Sequence, residues 1–206
     1  MERPSDIAPT VQSSADIDPE VEIGANTHVW HFAQVRAGAR IGEGCVIGRG
    51  AYVGSEVRVG DSCKIQNHAL IYEPAELGRG VFVGPGAVLT NDRRPRAVNP
   101  DMTAKTATDW EPVGVRVHEG ASIGAKAVCV APLTIGRWAM VAAGAVVTRD
   151  VGDFELVAGN PARRIGWVGR AGASLMAAPG GLVCPLTGAR YEIRDGSLVE
   201  SIEDGQ

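Results

Sequence analysis

The chain has 206 residues, of which 45% are hydrophobic and 21% charged, and its formal net charge at pH 7 is −4. This length and composition are typical of one globular domain with a small appendage. The acidic balance disfavours general binding to nucleic acid or anionic membranes, although a local basic patch can still hold a phosphorylated ligand. No segment approaches about 18 consecutive apolar residues, and the N-terminus lacks a leader pattern. We expect a cytoplasmic protein without membrane or nucleic-acid partners.

Four cysteines occupy positions 45, 63, 129 and 184. They form no CxxC motif and have no histidine at ligand spacing, so the sequence predicts neither a zinc site nor a disulfide framework. We therefore expect reduced thiols and no bound metal.

A strict six-residue period runs through the N-terminal part of the chain. Every sixth residue is Ile, Leu or Val at Val11, Ile17, Ile23, Val29, Val35, Ile41, Ile47, Val53, Val59, Ile65, Ile71, Leu77, Val83 and Leu89. Four residues after these anchors, a second row is mostly small or apolar: Val21, Thr27, Ala33, Ala39, Cys45, Ala51, Val57, Cys63, Ala69, Ala75, Val81 and Ala87. Gly often follows the anchor, where a tight corner benefits from a residue without Cβ and with access to positive φ.

A helix repeats its apolar row every 3.6 residues and a hairpin sheet every two, so neither gives a period of six. A three-sided prism does, because three hexapeptides close a coil of 18 residues and coils stack at about 4.8 Å. We predict an all-β fold, a left-handed parallel β-helix of hexapeptide repeats, in which residues 18 apart are stacked. Cys45 and Cys63 are then neighbouring core residues rather than a redox pair.

The period stops after Leu89 and resumes at Val117, Ile123, Cys129, Ile135, Val141 and Val147. The intervening segment is rich in Pro, Asp, Thr and Arg, and its length does not fit the repeat. We predict one projecting loop at about residues 90–116, and a loop this long in a compact domain is usually functional.

The sequence divides into a β-helix domain at residues 1–160 and a C-terminal region at residues 161–206. Asn160 is a good helix N-cap and Pro161 suits the first helical position, which predicts a short helix closing the open end of the prism. A flexible linker at residues 170–181 and a strand pair at residues 182–200, turning at Asp195 and Gly196, are expected to follow.

A packed β-helix has no interior cavity, so a ligand must bind on its outer faces. Flat faces and a threefold cross-section predict a homotrimer with sites in the clefts between prisms. The 18-residue stacking also places His31, Arg49 and Asn67 in one polar column on one side of the prism.

Several segments extend this pattern: WHF at 30–32, CKIQNHALIYE at 63–73, VFVGPGAVLTN with PR at 95–96, and AVVTRDVGDFELVAGNPARRIGWV near the end. With the hexapeptide array and the projecting loop, they resemble the hexapeptide-repeat acyltransferase superfamily. Within it they are similar to nucleotide-sugar 3-N-acetyltransferases over about residues 15–170. The repeat is widely shared, whereas the QN, 91–96 and NPAR elements are more specific.

This resemblance implies direct attack of a sugar 3-amino group on acetyl-CoA, without an acyl-enzyme, at a site between subunits. Asn67 and His68 are then the predicted catalytic residues. Asn67 would hydrogen-bond the amine and His68 would accept its proton, since imidazole side chains titrate near neutral pH. Relatives often have Asn where His68 stands, so a positioning role for His68 is the alternative.

The predicted substrate-binding residues are His31, Gln66, Tyr72, Glu73, Asn91, Arg93, Arg94 and Arg96. The arginines suit a diphosphate or a uronate carboxylate, which guanidinium groups bind through paired hydrogen bonds. The alternatives are a packed His31, solvent-facing turn residues at 72 and 73, and a solvated basic loop tip.

The predicted acetyl-CoA contacts are Ser122, Ala142, Ala143, Gly144, Asn160, Pro161, Arg163 and Arg164. The small residues at 142–144 would admit the pantetheine arm to backbone amides, and the two arginines would meet the phosphates of coenzyme A.

The favoured substrate is a UDP-linked 3-amino uronate used in surface polysaccharide biosynthesis, and a dTDP-linked 3-amino sugar is the first alternative. A γ-type carbonic anhydrase shares the prism but needs two nearby histidines and a third about two coils earlier, whereas His31 and His68 are 37 residues apart. A non-catalytic scaffold is the third alternative, which the polar loop and the polar column disfavour.

Overall fold

The computed structural model describes residues 7–201, so the predicted domain limits at residues 1 and 206 lie outside the described range. Within this range the regular secondary structure is β-strand, and no helix is long and apolar enough to cross a membrane. Most strands have two or three residues and alternate around three parallel sheets, named here faces A, B and C.

Each face collects every third strand of the coil. Face A contains Thr10–Val11, His28–Val29, Val46–Ile47, Lys64–Ile65, Phe82–Val83, Ser122–Ile123 and Met140–Val141. Face B contains Asp16–Ile17, Gln34–Val35, Tyr52–Val53, Leu70–Ile71, Val88–Leu89, Val128–Cys129 and Val146–Val147. Face C contains Glu22–Ile23, Arg40–Ile41, Arg58–Val59, Glu76–Leu77, Val115–Val117 and Leu133–Ile135.

The strand register confirms the predicted parallel β-helix. Lys64 pairs with Val46 and Tyr52 with Leu70, each pair 18 residues apart. The anchor and small rows point inward, so that Ile47, Ile65 and Ala51 are completely buried. Hydrophobic burial along this continuous core, together with the ladder of backbone hydrogen bonds between coils, stabilises the prism.

The stacked cysteines are core residues, as predicted. Cys45, Cys63 and Cys129 are free thiols with no exposed surface. Burial raises the pKa of the Cys129 thiol to about 12, because the thiolate would lose its hydration inside the apolar core. Cys129 therefore stays protonated at neutral pH.

The glycine that follows an anchor serves close packing between coils. A Cβ on Gly48 would come within 2.6 Å of the backbone nitrogen of Asn67 in the next coil. The predicted positive φ occurs two residues later in the corner, at Gly50 with φ 61° and at His68 with φ 58°. The sequence therefore located the corner correctly but assigned its left-handed residue to the wrong position.

Three corners connect the faces. The AB corner consists of residues 12–14, 30–32, 48–50, 66–68, 84–86, 124–126 and 142–144, each triplet one coil above the previous one. The BC corner includes 36–38, 54–56 and 72–74, and the CA corner includes 42–44, 60–62, 78–80, 118–120 and 136–138.

The projecting loop, predicted at about residues 90–116, covers residues 90–114 between a face B strand and a face C strand, and it leaves the prism at the BC corner. Its base is held where the backbone nitrogen of Val113 donates to the carbonyl of Asn91 at 3.0 Å. The hydroxyl of Thr90 also accepts a hydrogen bond from the backbone nitrogen of Ala131 at 3.0 Å. The coils resume in register, because Phe82 pairs with Ser122 across the insertion.

The predicted helix after residue 160 is wrong. Glu155–Gly159 adds to face A beside Met140–Val141 and pairs antiparallel with Ala162–Trp167, so Asn160 and Pro161 form the turn of a hairpin. The physical reason is that the last strand of face A leaves its backbone groups unpaired, and a further strand satisfies them where a helix would not. Asn and Pro are also common turn residues, which makes the capping pattern ambiguous.

The predicted linker is also partly wrong. Met176–Ala178 is the first strand of a four-stranded antiparallel sheet that continues with Gly181–Val183, Arg190–Arg194 and Ser197–Glu200. The last two strands form the predicted hairpin that turns at residues 195–196. The sheet packs on the CA corner, where the ring centroids of Phe154 and Tyr191 are 5.5 Å apart. Aromatic side chains on the last coils explain why this segment is ordered.

Candidate functional site

The AB corner contains an open groove of about 610 Å³ that brings several predicted site residues together. It is lined by Asn67, His68, Pro85, Gly86, Ala125, Lys126, Ala143 and Gly144. Three successive coils carry mainly Gly, Ala and Pro at this corner, so their backbone lies close to the surface. The groove therefore runs parallel to the prism axis from the predicted catalytic pair to the predicted coenzyme A residues.

His68 is exposed at the N-terminal end of this groove. Its imidazole ring lies against Gly50 of the preceding coil, where an added Cβ would come within 2.6 Å of Nδ1. Because position 50 is glycine, there is room for the His68 ring beside it. Among residues 7–201 no side chain hydrogen-bonds this imidazole, which leaves it accessible to a substrate.

One end of the Asn67 side-chain amide has a structural role. Its Oδ1 accepts a hydrogen bond from the backbone nitrogen of Arg49 at 2.9 Å. At the CA corner, Oδ1 of Asp61 accepts the equivalent hydrogen bond from the backbone nitrogen of Glu43, also at 2.9 Å. The amide NH2 of Asn67, which can only donate, is therefore the part available to a ligand.

The predicted polar column is present. Backbone hydrogen bonds from Gly50 to the His31 carbonyl, at 3.1 Å, and from His68 to the Arg49 carbonyl, at 2.9 Å, put His31, Arg49 and Asn67 on successive coils. His31 is exposed rather than packed in the core, and its Nδ1 lies 2.8 Å from the hydroxyl of Ser14. Gln66 begins the same corner triplet as Asn67.

Tyr72 and Glu73 lie at the BC corner, on the other edge of face B from Asn67 and His68. The Oε2 atom of Glu73 is buried and has no hydrogen-bond partner within the described part of the chain. The rings of Tyr52 and Tyr72 are 5.2 Å apart. Burial, followed by the nearby charge of Glu73, raises the pKa of Tyr52. In a single chain these residues do not join the AB groove.

The loop residues also belong to the BC edge. Asn91 lies one coil above Glu73, and Arg93, Arg94 and Arg96 are exposed. The backbone nitrogen of Arg94 donates to the carboxylate of Asp92 at 2.7 Å, and the guanidinium of Arg96 donates to the Pro95 carbonyl at 3.0 Å. Their long side chains are therefore presented to solvent in the single chain.

The predicted coenzyme A residues divide into three groups. Ala142, Ala143 and Gly144 form the C-terminal coil of the AB corner. The backbone nitrogen of Ala142 donates to the Val157 carbonyl at 2.9 Å, which places the strand Glu155–Gly159 directly above this coil. The hairpin turn at Asn160 and Pro161 follows that strand.

Arg163 and Arg164 are exposed beyond that turn, with the guanidinium of Arg164 4.5 Å from the ring centroid of Trp167. Ser122 lies outside the groove lining, because its strand belongs to face A between Phe82 and Met140.

Lys126 is the groove residue that sequence reasoning missed. It is exposed at the third position of its corner, directly between Gly86 and Gly144. Counting back 18 residues from Gly144 identifies it, but the loop insertion hides its relation to His68. It supplies a positive charge within the groove.

The described residues contain no group of three or more His, Cys, Asp or Glu side chains arranged to hold a metal ion.

Comparison with known proteins identifies the class to which this repeat belongs. The bacterial transferase hexapeptide (six repeats) family matches residues 20–55 and 56–91, and the hexapeptide repeat of succinyl-transferase matches residues 38–73 and 114–149. Together these matches cover more than half of the chain. The chain belongs to the hexapeptide-repeat transferase family.

Particular relatives are similar over parts of the chain. A dTDP-3-amino-3,6-dideoxy-alpha-D-galactopyranose 3-N-acetyltransferase of Aneurinibacillus thermoaerophilus is 46% identical over 86 residues, which are 42% of this chain and 44% of that protein. The bifunctional protein GlmU of Alkalilimnicola ehrlichii is 33% identical over 70% of this chain and 28% of its own length. The alignments thus span less than half the length of these curated relatives.

The fold also resembles a solved structure. A hexapeptide-repeat acetyltransferase of Vibrio cholerae, crystallised with acetyl coenzyme A, superposes with a TM-score of 0.50 and 23% identity over 63% of this chain and 70% of that chain. At this identity the likeness supports the β-helix fold alone.

Proposed function

We propose that the protein is an acetyl-CoA-dependent N-acetyltransferase that acts on the 3-amino group of a nucleotide-linked sugar. The observation that carries the proposal is the AB groove, which joins Asn67 and His68 to the small residues at 142–144. From residue 68 to residue 144 the corner rises by three coils, or about 14 Å at the spacing of β-strands. This is the scale of an extended pantetheine arm, with its thioester at His68.

The groove suits coenzyme A along its whole length. Gly and Ala at the corner let the arm approach backbone amides, and Lys126 lies midway to meet a carbonyl or phosphate oxygen. Beyond the Asn160 turn, the exposed guanidinium groups of Arg163 and Arg164 suit the phosphates of coenzyme A. Arg164 keeps an ion pair with Glu155 at 3.2 Å, so Arg163 is the more available of the two.

In the proposed reaction the amine nitrogen attacks the thioester carbonyl carbon, the new C–N bond forms and the C–S bond breaks. His68 accepts the proton released by the amine and returns it to the leaving thiolate of coenzyme A. The NH2 group of Asn67 donates a hydrogen bond to the substrate, because its Oδ1 is engaged with Arg49. Orientation of the two substrates supplies much of the rate enhancement.

A homotrimer would complete this site. The outward row of face B begins with the polar Asp16 and Gln34 and is then apolar from residue 52 onward, at Tyr52, Leu70, Val88, Val128 and Val146, whereas face C presents mainly Arg and Glu. Three copies that bury face B around a threefold axis bring the AB corner of each next to the BC corner of its neighbour. Asn67 and His68 of one copy would then face Tyr72, Glu73 and the loop of another.

The identity of the sugar is the finer part of the proposal. A UDP-linked 3-amino uronate is favoured by the three exposed arginines of the loop, which suit its carboxylate. A dTDP-linked 3-amino sugar is favoured by the relative from Aneurinibacillus, whose name states that substrate. A role of the UDP-linked uronate in surface polysaccharide biosynthesis and a cytoplasmic location of the protein remain predictions.

Calorimetric titration with coenzyme A, followed by assay of thiol release with both nucleotide sugars, tests the proposal. We expect saturable binding of coenzyme A and release of one thiol per acetylated amine. Absence of binding at ~1 mM coenzyme A, a free energy of only about −4 kcal/mol, would overturn the proposal.

Ala143→Leu tests the location of the coenzyme A site, because its side chain would fill the groove. We expect its Kd for coenzyme A to rise about tenfold or more, equivalent to about 1.4 kcal/mol. Ala25→Leu is the matched change at the CA corner and should leave this Kd unaltered. Equal effects from both variants would argue against the AB groove as the binding site.

A further inference from the structure

Two aromatic side chains are exposed on the AB corner below the groove. Trp30 retains 47% and Phe32 retains 54% of its accessible surface, although most other aromatic residues of the chain are more buried. They flank His31 in one corner triplet, and the ring centroids of His31 and Phe32 are 6.2 Å apart. An exposed aromatic pair of this kind commonly marks a binding surface.

Arg49 lies one coil above this pair. Its guanidinium carbon is 4.8 Å from the centroid of the Phe32 ring. The ring therefore already stacks with one planar group, the guanidinium of Arg49. Within residues 7–201 no carboxylate forms an ion pair with Arg49. Its charge is therefore available to an anionic ligand.

The pair is aligned with the proposed reaction centre. Phe32, Gly50 and His68 occupy the same position on three successive coils, which separates the first from the last by about 10 Å at strand spacing. Gly50 adds no side chain of its own between them, and the space beside it holds the His68 imidazole. A ligand can therefore extend along the corner from His68, past Arg49, to Phe32 and Trp30.

We propose that Trp30 and Phe32 stack against the base of the nucleotide sugar and that Arg49 pairs with its diphosphate. This rests on the function proposed above and assigns the nucleotide half of the substrate. A nucleotide sugar presents its sugar, diphosphate and base in the same order as His68, Arg49 and the aromatic pair. Stacking on aromatic rings accepts any base, while a guanidinium group binds phosphate oxygens through paired hydrogen bonds.

A rival location exists on the loop, where Trp110 lies beside Arg93, Arg94 and Lys105 in a pocket of about 410 Å³. Three acidic residues, Asp92, Asp109 and Glu111, line the same pocket and offset its positive charge. Among residues 7–201, the AB corner has no such acidic lining next to Arg49. We therefore assign the base to Trp30 and Phe32 rather than to Trp110.

Tryptophan fluorescence distinguishes the two locations. Titration of the full chain with UDP and with dTDP should quench emission saturably in the wild type and in Trp110→Phe, and this quenching should be lost in Trp30→Phe. Quenching that survives in Trp30→Phe and disappears in Trp110→Phe would overturn the assignment.

Calorimetry supplies an independent measurement. Phe32→Leu and Arg49→Ala should each raise the Kd for UDP or dTDP about tenfold, and pyrophosphate should respond to Arg49→Ala but not to Phe32→Leu. Unchanged nucleotide affinity in both variants would refute the proposal, as would a changed oligomeric state of Phe32→Leu in sedimentation, which would make the aromatic pair a subunit contact.

Coenzyme A serves as the internal reference in the same titrations. Its Kd should be equal in the wild type, Phe32→Leu and Arg49→Ala. A wild type that binds coenzyme A but neither nucleoside diphosphate would refute only the base site. A wild type that fails to bind coenzyme A would refute the acetyltransferase itself.

Discussion

At the scale of single residues, the adjacent pair Asn67 and His68 differ in how the fold uses them. The Oδ1 atom of Asn67 accepts a hydrogen bond from the backbone nitrogen of Arg49, as the carboxylate of Asp61 does from Glu43 at the CA corner. His68 adopts a positive φ of 58° and its imidazole lies against Gly50, with no side-chain hydrogen bond to a described residue. Positive φ recurs at this third corner position, for example 59° at Ser62 and 56° at Lys126, so the left-handed conformation of His68 belongs to the repeat and does not by itself mark function.

Replacing His68 by Ala should lower kcat by about a hundredfold, within the range expected for removal of a general base. The KM for acetyl-CoA should hardly change, because the pantetheine arm contacts other coils. Steady-state kinetics and the pH profile of kcat measure both effects. His118→Ala, an exposed histidine at the CA corner, is the control, and a loss in His68→Ala of less than about tenfold would indicate a positioning residue instead.

At the scale of elements, the loop and the terminal hairpin extend the prism in different directions. Residues 90–114 project from the BC corner and carry Arg93, Arg94 and Arg96. The hairpin of Glu155–Gly159 and Ala162–Trp167 continues face A and carries Arg163 and Arg164, which line a separate pocket with Arg149 and Asp150 near the C-terminal end of the prism. Two separate sources of positive charge suit two anionic substrates, the sugar at the loop and coenzyme A at the hairpin.

Simultaneous replacement of Arg93, Arg94 and Arg96 by Ala should raise the KM for a UDP-linked 3-amino uronate about tenfold. The KM for acetyl-CoA should stay constant, since the hairpin arginines remain. A dTDP-linked sugar without a carboxylate should be less affected than the uronate, because paired hydrogen bonds to the carboxylate are what the arginines offer.

Initial-rate measurements with both sugars provide this comparison. The double change of Arg40 and Arg58 to Ala on face C removes two exposed positive charges elsewhere and serves as the control. If the KM of the triple variant matches the wild type for both sugars, the loop would belong to subunit packing.

At the scale of the whole molecule, the three faces have different chemistry around one common core. Face C presents Arg40, Arg58 and Arg116 with Glu22 and Glu76, and such a surface is well solvated. The outward row of face B instead offers a flat apolar strip across several coils. Burying it in a closed ring would remove that strip from water and pair the two half sites that a single chain keeps apart.

Leu70→Glu should therefore convert the expected trimer to monomers and abolish acetyl transfer, because a charge would be buried at the centre of face B. Sedimentation equilibrium measures the mass, and circular dichroism checks that the β-helix persists. Arg58→Glu, which places a carboxylate at an outward position of face C, is the control and should leave both mass and activity intact. An active wild-type monomer would contradict the shared site.

The prism, the stacking of residues 18 apart and the column that contains His31, Arg49 and Asn67 could all be predicted from the sequence. They follow from a periodic core, because the same inward rows recur in every coil and each repeat contacts only its neighbours. Three features emerged from the folded chain instead: the hairpin at residues 155–167, the position of Ser122 outside the groove and that of Lys126 within it. The hairpin forms because the last strand of face A leaves its backbone groups unpaired, and the 25-residue loop at 90–114 shifts the numbering that relates Lys126 to His68. Neither effect can be found from a local sequence pattern.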